Sequence, residues 1–408
     1  MDPGDLAWVL VSAALVLFMT PGLAFFYGGM DRSRNVLNML MMNFWCLLVV
    51  PPVWAIVGYS LAQEPFDNSL IGGFDAAFLS GIGIIDDNGA TLVTIAFLGM
   101  FAVITPALIS GAVADRMKFS AWAVFVPVWL LLVFVPVFKW VYGGFLGQRG
   151  SLDFAGGTAI HVNAGVAALA AVLVLGKRKG WPTEGHPPHS MPLVMLGTGI
   201  LWFGWFGFNA GSALGANGTA VQAFMNTFLA AGAAGLSWAL VERVRDGHFT
   251  NLGAATGIVA GLVAITPGAG FVAGMSPIYI GLVTGVICCF AVGLKTKAGY
   301  DDALDVVGVH FVGGLVGSML IGLFSDPDFF GTDVMAGLFH GGGLELLAEQ
   351  ALANGVTIVY SFVVTLGIML ALKATIGVRV DRDVEAAGLD VSEHGETAYH
   401  SDTTMERA

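Results

Sequence analysis

The sequence predicts an all-α polytopic membrane protein with eleven transmembrane helices, arranged as two inverted five-helix repeats plus a final helix. Three observations lead to this fold class: the composition, the number of long apolar segments and an internal repeat. Of the 408 residues, 56% are hydrophobic and only 11% are charged, whereas soluble globular proteins carry about 25% charged residues. With 29 acidic against 17 basic residues, the chain also lacks the basic face of a nucleic-acid-binding protein. The composition therefore excludes a soluble enzyme, a disordered chain and a nucleic-acid partner.

Eleven apolar segments are each long enough to cross a bilayer, which takes about 20 residues in a helix. The first follows a short polar start without a basic region, so we expect it to be a membrane helix and not a cleaved signal peptide. Charged and polar loops separate the segments, which lie in order at 6–27, 37–62, 91–114, 119–141, 156–176, 192–214, 219–241, 252–272, 277–294, 305–324 and 350–376.

Basic residues mark one side of the membrane. Segments 1, 3, 5, 7 and 9 are each followed by two or three of them: Arg32 and Arg34; Arg116 and Lys118; Lys177, Arg178 and Lys179; Arg243 and Arg245; Lys295 and Lys297. Only Lys139 and Arg149 fall on the opposite side. Because cytoplasmic loops are enriched in Lys and Arg, we predict a multi-pass protein of the cell membrane with its N-terminus outside and its C-terminus in the cytoplasm.

Segments 5 and 10 share a sequence pattern. Asp153 lies eight residues before His161, and Asp302 lies eight residues before His310. Each histidine is followed by small residues three, four and seven positions later, and Ile-Thr-Pro recurs in segments 3 and 8. The repeat unit is therefore five segments, with repeat one at about 6–176, repeat two at about 192–324 and an extra helix at about 350–376.

The odd number of helices per repeat predicts that the second copy crosses the membrane in the opposite direction. Eight helical residues rise about 12 Å, so each histidine comes close to the middle of a hydrocarbon core about 30 Å thick. His161 and His310 would then approach each other from opposite faces. An ionisable residue at this depth is a functional candidate by default, although a single buried histidine can also be a satisfied core residue.

Several motifs resemble the signatures of the Amt/Mep/Rh ammonium transporter family, on its Amt branch. They occur in order along nearly the whole chain: PGLAFFYGG at 21–29, DFAGGTAIHVNAG at 153–165, GWFGFNAGS at 204–212, DVVGVH at 305–310 and GLDVSEHGE at 388–396. The resemblance implies an ammonium transporter and not an enzyme. It also implies a homotrimer in which each subunit has its own pore, with ammonium or ammonia as the substrate.

The family's pore residues carry over to four positions of this chain. His161 and His310 match the twin histidines that line the pore, and Phe101 and Phe208 match the two rings that close it on the outer side. The resemblance therefore implies that ammonium loses its proton near the rings and that ammonia passes the histidines, with the proton relayed separately.

The family's outer recruitment site carries over to Ser212, with Phe97 and Trp205 as its aromatic neighbours. Tyr142 stands where the family usually has tryptophan, and tyrosine is the weaker cation–π face, so ammonium binding here is expected to be weaker or altered in selectivity. Asp153 matches the acid that supports the site. From position alone Asp153 could equally be an N-cap that accepts hydrogen bonds from Ala155 or Gly156, and direct ligation of ammonium is the less favoured alternative.

The resemblance also implies a regulatory role for the cytoplasmic tail at 377–408. Its composition alone would allow disorder, whereas the family suggests a structured tail that couples subunits. A PII signal protein is a possible partner, through the loop at 177–192 and the tail.

Three alternatives remain open from the residues. A sensor would bind ammonium and barely conduct; because no signalling domain follows the tail in this sequence, we expect a transporter. A haem protein would need a wide pocket between the histidines, where the small residues indicate close packing; no cofactor and no metal are expected. An Rh-type gas channel fits less well because of Ser212 and the Amt-type motifs.

Overall fold

Eleven helices are long and apolar enough to cross a membrane in the described part of the chain, which confirms the predicted fold class. The structure is a computed structural model that describes residues 1–63, 69–85, 87, 89–331 and 333–399. The helices are α1 (Pro3–Met30), α2 (Val36–Gln63), α3 (Ala90–Val113), α4 (Phe119–Gln148), α5 (Gly157–Leu175), α6 (Met191–Gly211), α7 (Gly218–Arg245), α8 (Asn251–Gly268), α9 (Ser276–Ala298), α10 (Val307–Phe324) and α11 (Glu345–Thr375). Because eleven is odd, the face where α1 begins (the N-face) lies opposite the face where α11 ends (the C-face).

The observed helices mostly extend beyond the predicted segments, since an apolar run omits the polar first and last turns. Thus α1 starts at Pro3 with Asp2 as its N-cap, where the apolar segment starts at 6. Seven ends fall short of the predicted segments, four of them by a single residue and three by more. Helix α6 ends at Gly211 and not at 214. Helix α8 stops at Gly268 and not at 272, after a turn of 3₁₀ helix that contains Pro267. Helix α10 begins at Val307 and not at 305, because Asp305 adopts a φ of 65° that a right-handed helix does not allow.

Short helical turns complete the described structure. They are the 3₁₀ turns Ala77–Leu79 and Leu338–His340, the helix Pro327–Phe330, and two elements of the tail, Arg382–Ala387 and Asp390–His394.

The first helices of the two repeats, α1 and α6, cross in backbone contact. A Cβ atom on Gly197 of α6 would lie 2.4 Å from the amide nitrogen of Phe26 in α1. A Cβ on Gly204 would lie 2.2 Å from the Met19 side chain. Small residues allow such close approach between membrane helices, where packing and not water exclusion holds helices together.

The last helices of the repeats, α5 and α10, pack against each other in a reciprocal way. Gly165 lies four residues after His161, and a Cβ there would be 2.4 Å from the Phe311 amide nitrogen. Gly314 lies four residues after His310, and a Cβ there would be 3.0 Å from the Cβ of His161. The small residue that follows each histidine therefore makes room for the partner repeat, as the pseudo-two-fold arrangement requires.

The extra helix α11 is held to both repeats by amide side chains. Gln350 accepts from the Leu152 amide at 2.7 Å and donates to the Ser318 carbonyl of α10 at 3.1 Å. Asn354 accepts from the Thr158 hydroxyl of α5 at 3.1 Å and donates to the Ser318 hydroxyl at 2.7 Å. Helix α11 therefore fixes the position of α5 relative to α10.

A buried ion network joins the loops of the C-face. The Arg178 guanidinium donates to Asp115 at 3.0 Å and to Asp301 at 2.8 Å, and the three side chains are only 6%, 2% and 0% exposed. Arg32 also donates to Asp115, at 3.1 Å. Asp115 follows α3, Arg178 follows α5 and Asp301 precedes α10, so the network connects the two repeats.

The described part of the tail packs against the C-face, at the loop before α2 and at the starts of α2 and α4. The Leu389 amide donates to the Asn35 side chain at 2.8 Å. Asp390 and Glu393 accept from the amides of Asn38 and Phe119, at 2.8 and 2.9 Å, at the starts of α2 and α4. The tail therefore contacts the starts of α2 and α4 through residues 389–393, and residues 400–408 lie outside the described residues.

Replacing Arg178 by Met is expected to lower the free energy of unfolding by about 3–5 kcal/mol, because it leaves the Asp301 carboxylate buried without its guanidinium partner and leaves Asp115 with Arg32 alone. Arg149→Ala is the matched control, since Arg149 is 51% exposed in its pair with Glu349 and exposed pairs contribute about 1 kcal/mol or less. Thermal unfolding in detergent measures both. Equal shifts in Tm for the two variants would contradict a structural role for the network.

Candidate functional site

Two histidines from opposite repeats meet in the interior of the protein. The Nδ1 atoms of His161 in α5 and His310 in α10 are 3.3 Å apart. Their rings are nearly parallel, with centroids 5.3 Å apart and an angle of 17° between the planes. Both side chains are buried, at 1% and 2% exposure. One of the two Nδ1 atoms must therefore donate a proton to the other.

Each histidine lies in a π-helical turn at the start of its helix. The turns are Gly157–Val162 and Val307–Phe311, and regular α-helix follows in both repeats. Such turns widen the helix and are frequent at functional sites. They are a repeat-related feature that the apolar pattern of the sequence did not reveal.

Asp153 caps the first of these turns with both carboxylate oxygens. Oδ1 accepts from the amides of Gly156 and Gly157 at 2.8 and 2.7 Å, and Oδ2 accepts from those of Thr158 and Ala159 at 2.8 and 3.0 Å. The prediction that Asp153 accepts from the Gly156 amide is therefore correct. The Ala155 amide is not among its donors, and the amides of residues 157–159 donate as well, because the π-helical turn is wider than an α-helix. Burial raises the pKa of Asp153, and the four amide bonds oppose that rise.

A pair of phenylalanine rings lies next to His161. The rings of Phe101 in α3 and Phe208 in α6 have centroids 4.3 Å apart and are tilted by 37°. Phe208 in turn lies 6.1 Å from the His161 ring. The two phenylalanines and two histidines thus form one continuous row of rings, and the phenylalanine pair occupies its N-face end.

A cavity of about 230 Å³ lies on the N-face side of this row. Among the predicted recruitment residues, Phe97, Tyr142 and Ser212 line it, and Phe101 lies in its wall. The Ser212 hydroxyl donates to the Phe208 carbonyl at 2.8 Å, so its oxygen keeps lone pairs that can accept a hydrogen bond. Two further rings that the sequence analysis did not single out, those of Phe138 and Phe154, line the cavity.

Trp205 is not among the residues that line this cavity. Its ring stacks on His161 at 5.5 Å with an angle of 20°, one helical turn before Phe208 in α6. Its indole nitrogen donates to the Thr266 hydroxyl at 2.8 Å. The structure therefore places Trp205 beside the histidine pair, where it forms a wall and holds a fixed orientation.

Asp302 is the counterpart of Asp153 at the C-face. Its Oδ2 accepts from the Val307 amide at 2.7 Å, as a cap, while its buried Oδ1 has no hydrogen-bond partner among the described residues. The carboxylate of the neighbouring Asp305 pairs with Lys295 at 2.6 Å. Burial raises the pKa of Asp302 to about 6, with Lys295 opposing and Asp305 adding to the shift.

This raised pKa predicts a pH-dependent stability. The folded protein favours the protonated form, so the contribution of Asp302 to stability is complete below about pH 4 and is lost as the pH rises through about 6. Relative to the wild type, Asp302→Asn is expected to be more stable by up to about 3 kcal/mol above pH 6. The difference should shrink below pH 4. Thermal unfolding of both proteins from pH 4 to 8 measures it, and a pH-independent difference would contradict it.

Tyr27 of α1 completes the row at its C-face end, and the sequence analysis did not identify it. Its hydroxyl lies 3.4 Å from the Nε2 of His310 and donates to the Leu108 carbonyl at 3.2 Å. It is 1% exposed. The only sequence signal was its position in the PGLAFFYGG motif at 21–29.

The fold and this site together are typical of one class, the polytopic membrane transport proteins. A cavity, a pair of rings and two buried imidazoles follow one another through the interior. In the described residues, no group of three or more His, Cys, Asp or Glu side chains is placed to hold a metal ion.

Comparisons with known proteins identify the family. The Ammonium Transporter Family model matches residues 7–399. The ammonium transporter of Mycobacterium tuberculosis (strain ATCC 25618 / H37Rv) is 50% identical, over 98% of this chain and 90% of that protein. Ammonium transporter Amt1 of Archaeoglobus fulgidus is 41% identical, over 98% of this chain and 100% of that protein. The crystal structure of Candida albicans Mep2 matches with a TM-score of 0.88 at 34% identity, over 100% of this chain and 92% of that one. The chain therefore belongs to the ammonium transporter family.

Proposed function

We propose that this transporter captures ammonium in the N-face cavity, removes its proton near the phenylalanine pair and conducts ammonia past the two histidines. The observation that carries the proposal is the Nε2 atom of His161, which is buried and has no hydrogen-bond partner among the described residues. Its ring lies next to Phe208. A free imidazole nitrogen at this point supplies a proton acceptor directly behind the constriction.

The N-face cavity suits a cation that donates hydrogen bonds. Aromatic faces attract cations, and tyrosine does so less strongly than tryptophan. Phe97, Phe138 and Tyr142 supply such faces, and the Ser212 oxygen supplies an acceptor. In this proposal the charge of Asp153 supports the cavity from its capping position, and its occupied oxygens argue against direct ligation of ammonium.

The phenylalanine pair supports selectivity against potassium. Potassium resembles ammonium in size, but it cannot give up a proton or donate a hydrogen bond. To pass Phe101 and Phe208 it would have to leave its hydration shell without compensating ligands, which is costly in an apolar interior. Ammonium can instead leave its proton behind and pass as a neutral molecule. Relay of that proton through the histidine pair would make transport electrogenic.

Current measurements on proteoliposomes test the proposal. Rapid addition of ammonium is expected to evoke a current, methylammonium a smaller one and potassium none. Empty liposomes serve as the control. A potassium current comparable to the ammonium current would contradict the proposed selectivity, and the absence of any ammonium uptake would contradict transport itself.

The proposed orientation places the N-face outside the cell membrane and the C-face in the cytoplasm. The basic residues in the C-face loops support this orientation, because cytoplasmic loops are enriched in Lys and Arg. Cysteine placed in the loop at 212–217 should then react with an impermeant thiol reagent in whole cells, and cysteine at 246–250 should not.

Assembly and regulation are part of the same proposal. We propose a homotrimer with one path per subunit, and a cytoplasmic PII signal protein that docks on the loop at 177–192 and the tail at 377–408. Native mass spectrometry tests the trimer. A pull-down with the host's PII protein, with and without ADP and 2-oxoglutarate, tests the docking.

A further inference from the structure

Tyr27 occupies the C-face end of the row of rings and contacts a histidine and a main-chain carbonyl with the same oxygen. Its hydroxyl lies 3.4 Å from the Nε2 of His310 and 3.2 Å from the Leu108 carbonyl. The hydroxyl, the carbonyl and both imidazoles are buried. Four polar groups therefore form one chain of hydrogen bonds: Leu108, Tyr27, His310 and His161.

Counting protons gives this chain a direction. A carbonyl oxygen can only accept, and a tyrosine hydroxyl has one proton to donate. When Tyr27 donates to Leu108, its oxygen must accept from Nε2 of His310. A neutral imidazole carries only one N–H, so Nδ1 of His310 is then bare and must accept from Nδ1 of His161. The remaining nitrogen, Nε2 of His161, is left without a proton.

We propose that Tyr27 is a positioning residue that sets the tautomers of the histidine pair, so that His161 presents its basic nitrogen behind the phenylalanine rings. This inference rests on the proposed function, because it assigns a cause to the proton acceptor that the function needs. Without the Tyr27 hydroxyl, the pair could adopt the opposite tautomers, with Nε2 of His161 protonated and unable to accept.

The packing around Tyr27 fixes its hydroxyl in place. A Cβ atom on Gly111 of α3 would lie 2.6 Å from Cζ of Tyr27 and 2.9 Å from the Val306 side chain. The ring therefore fits into a cleft that only glycine leaves open. Leu108 lies one helical turn before Gly111 on the same helix, so α3 supplies both the cleft and the acceptor.

The decisive variant is Tyr27→Phe, which removes the hydroxyl and keeps the ring. Its matched control is Tyr360→Phe in α11, where the hydroxyl also donates to a main-chain carbonyl, that of Leu132 at 2.9 Å. The ring contact recorded for Tyr360 is with Trp140 and not with a histidine. Gly111→Ala provides a second way to break the hydrogen bond between Tyr27 and His310, because the added methyl group would push the Tyr27 ring out of its cleft.

The first measurement is the ammonium-evoked current in proteoliposomes. Tyr27→Phe is expected to lower the maximal current by about fivefold or more, which corresponds to the loss of one buried hydrogen bond. The ammonium concentration for half-maximal current should stay close to the wild-type value, because the recruitment cavity is unchanged. Tyr360→Phe should match the wild type in both values.

The second measurement is ¹⁵N solid-state NMR of histidine-labelled protein in lipid, which distinguishes protonated from bare ring nitrogens. The wild type is expected to show Nε2–H for His310 and Nδ1–H for His161, with signals assigned through the single His→Ala variants. In Tyr27→Phe, this pattern should be lost or mixed.

Wild-type current together with an unchanged tautomer pattern in Tyr27→Phe would overturn the inference, as would the opposite tautomers in the wild type. Failure of the wild-type protein to transport ammonium would contradict the proposed function instead. The two failures are therefore distinguishable.

Discussion

The double substitution His161→Ala with His310→Ala is expected to reduce the ammonium-evoked current by at least about 100-fold, the lower end of what a positioned proton-transfer group contributes. The variant leaves an apolar path behind the phenylalanine pair, in which no side chain of the row of rings other than Tyr27 can accept a proton. Ammonium would then have to cross as a dehydrated ion, which is costly in an apolar interior. It could not cross as ammonia, because no imidazole would be there to accept its proton. Currents in proteoliposomes, recorded with ammonium and with potassium, measure the change.

Two histidines on the surface loops provide the matched control. His248→Ala with His340→Ala removes the same number of imidazoles from sites outside the row of rings, where His340 contacts Asp326 at 3.4 Å. This control is expected to conduct like the wild type. An unchanged ammonium current in the His161/His310 variant, with potassium still rejected, would rule out the relay role of the pair.

The second large effect is expected for Asp153→Ala, which should abolish transport and lower the free energy of unfolding by about 3 kcal/mol or more. Four amides at the start of α5 lose a charged acceptor at once, and hydrogen bonds to charged groups contribute about 1.5–3 kcal/mol each. The losses are not additive, since some amides find water after the change. Thermal unfolding in detergent and proteoliposome currents measure the two effects.

Two comparison variants separate the roles of Asp153. Asp326→Ala removes one capping bond at 3.2 Å to the short helix Pro327–Phe330 and a 3.4 Å contact with His340. Its expected cost is about 1 kcal/mol. Asp153→Asn keeps an oxygen acceptor and removes the charge. Full transport in Asp153→Asn would show that capping alone suffices and that electrostatic support of the recruitment cavity is wrong.

The sequence was sufficient for the number of helices and for the pairing of the repeats. Apolar runs locate the part of a helix that lies in hydrocarbon, and the equal spacing of Asp153 to His161 and Asp302 to His310 revealed the repeat. The same patterns do not locate helix ends, which depend on caps and backbone angles. Asp305 illustrates this limit, because its left-handed conformation delays the start of α10.

A site residue could be predicted from the sequence only where an unusual residue type occurred at equivalent positions of both repeats. The histidines carried such a signal, whereas Tyr27 did not, because one hydroxyl in an apolar helix does not reveal which partner it contacts. Trp205 shows a related limit: the family resemblance implies a place beside Ser212, but the turn of α6 directs the Trp205 ring toward His161. The buried Oδ1 of Asp302, which has no hydrogen-bond partner among the described residues, arises from the fold and has no signature in the sequence.

The reciprocal packing of α5 and α10 has a consequence for direction. Reversing the two membrane faces exchanges His161 with His310 and Gly165 with Gly314, so the centre of the path is nearly a palindrome in space. In the proposed mechanism, what distinguishes inward from outward passage is therefore not the helix packing at this centre. It is the set of side chains around the centre: Trp205 beside His161, the aromatic cavity on the N-face side, and Tyr27, Asp302 and Lys295 on the C-face side.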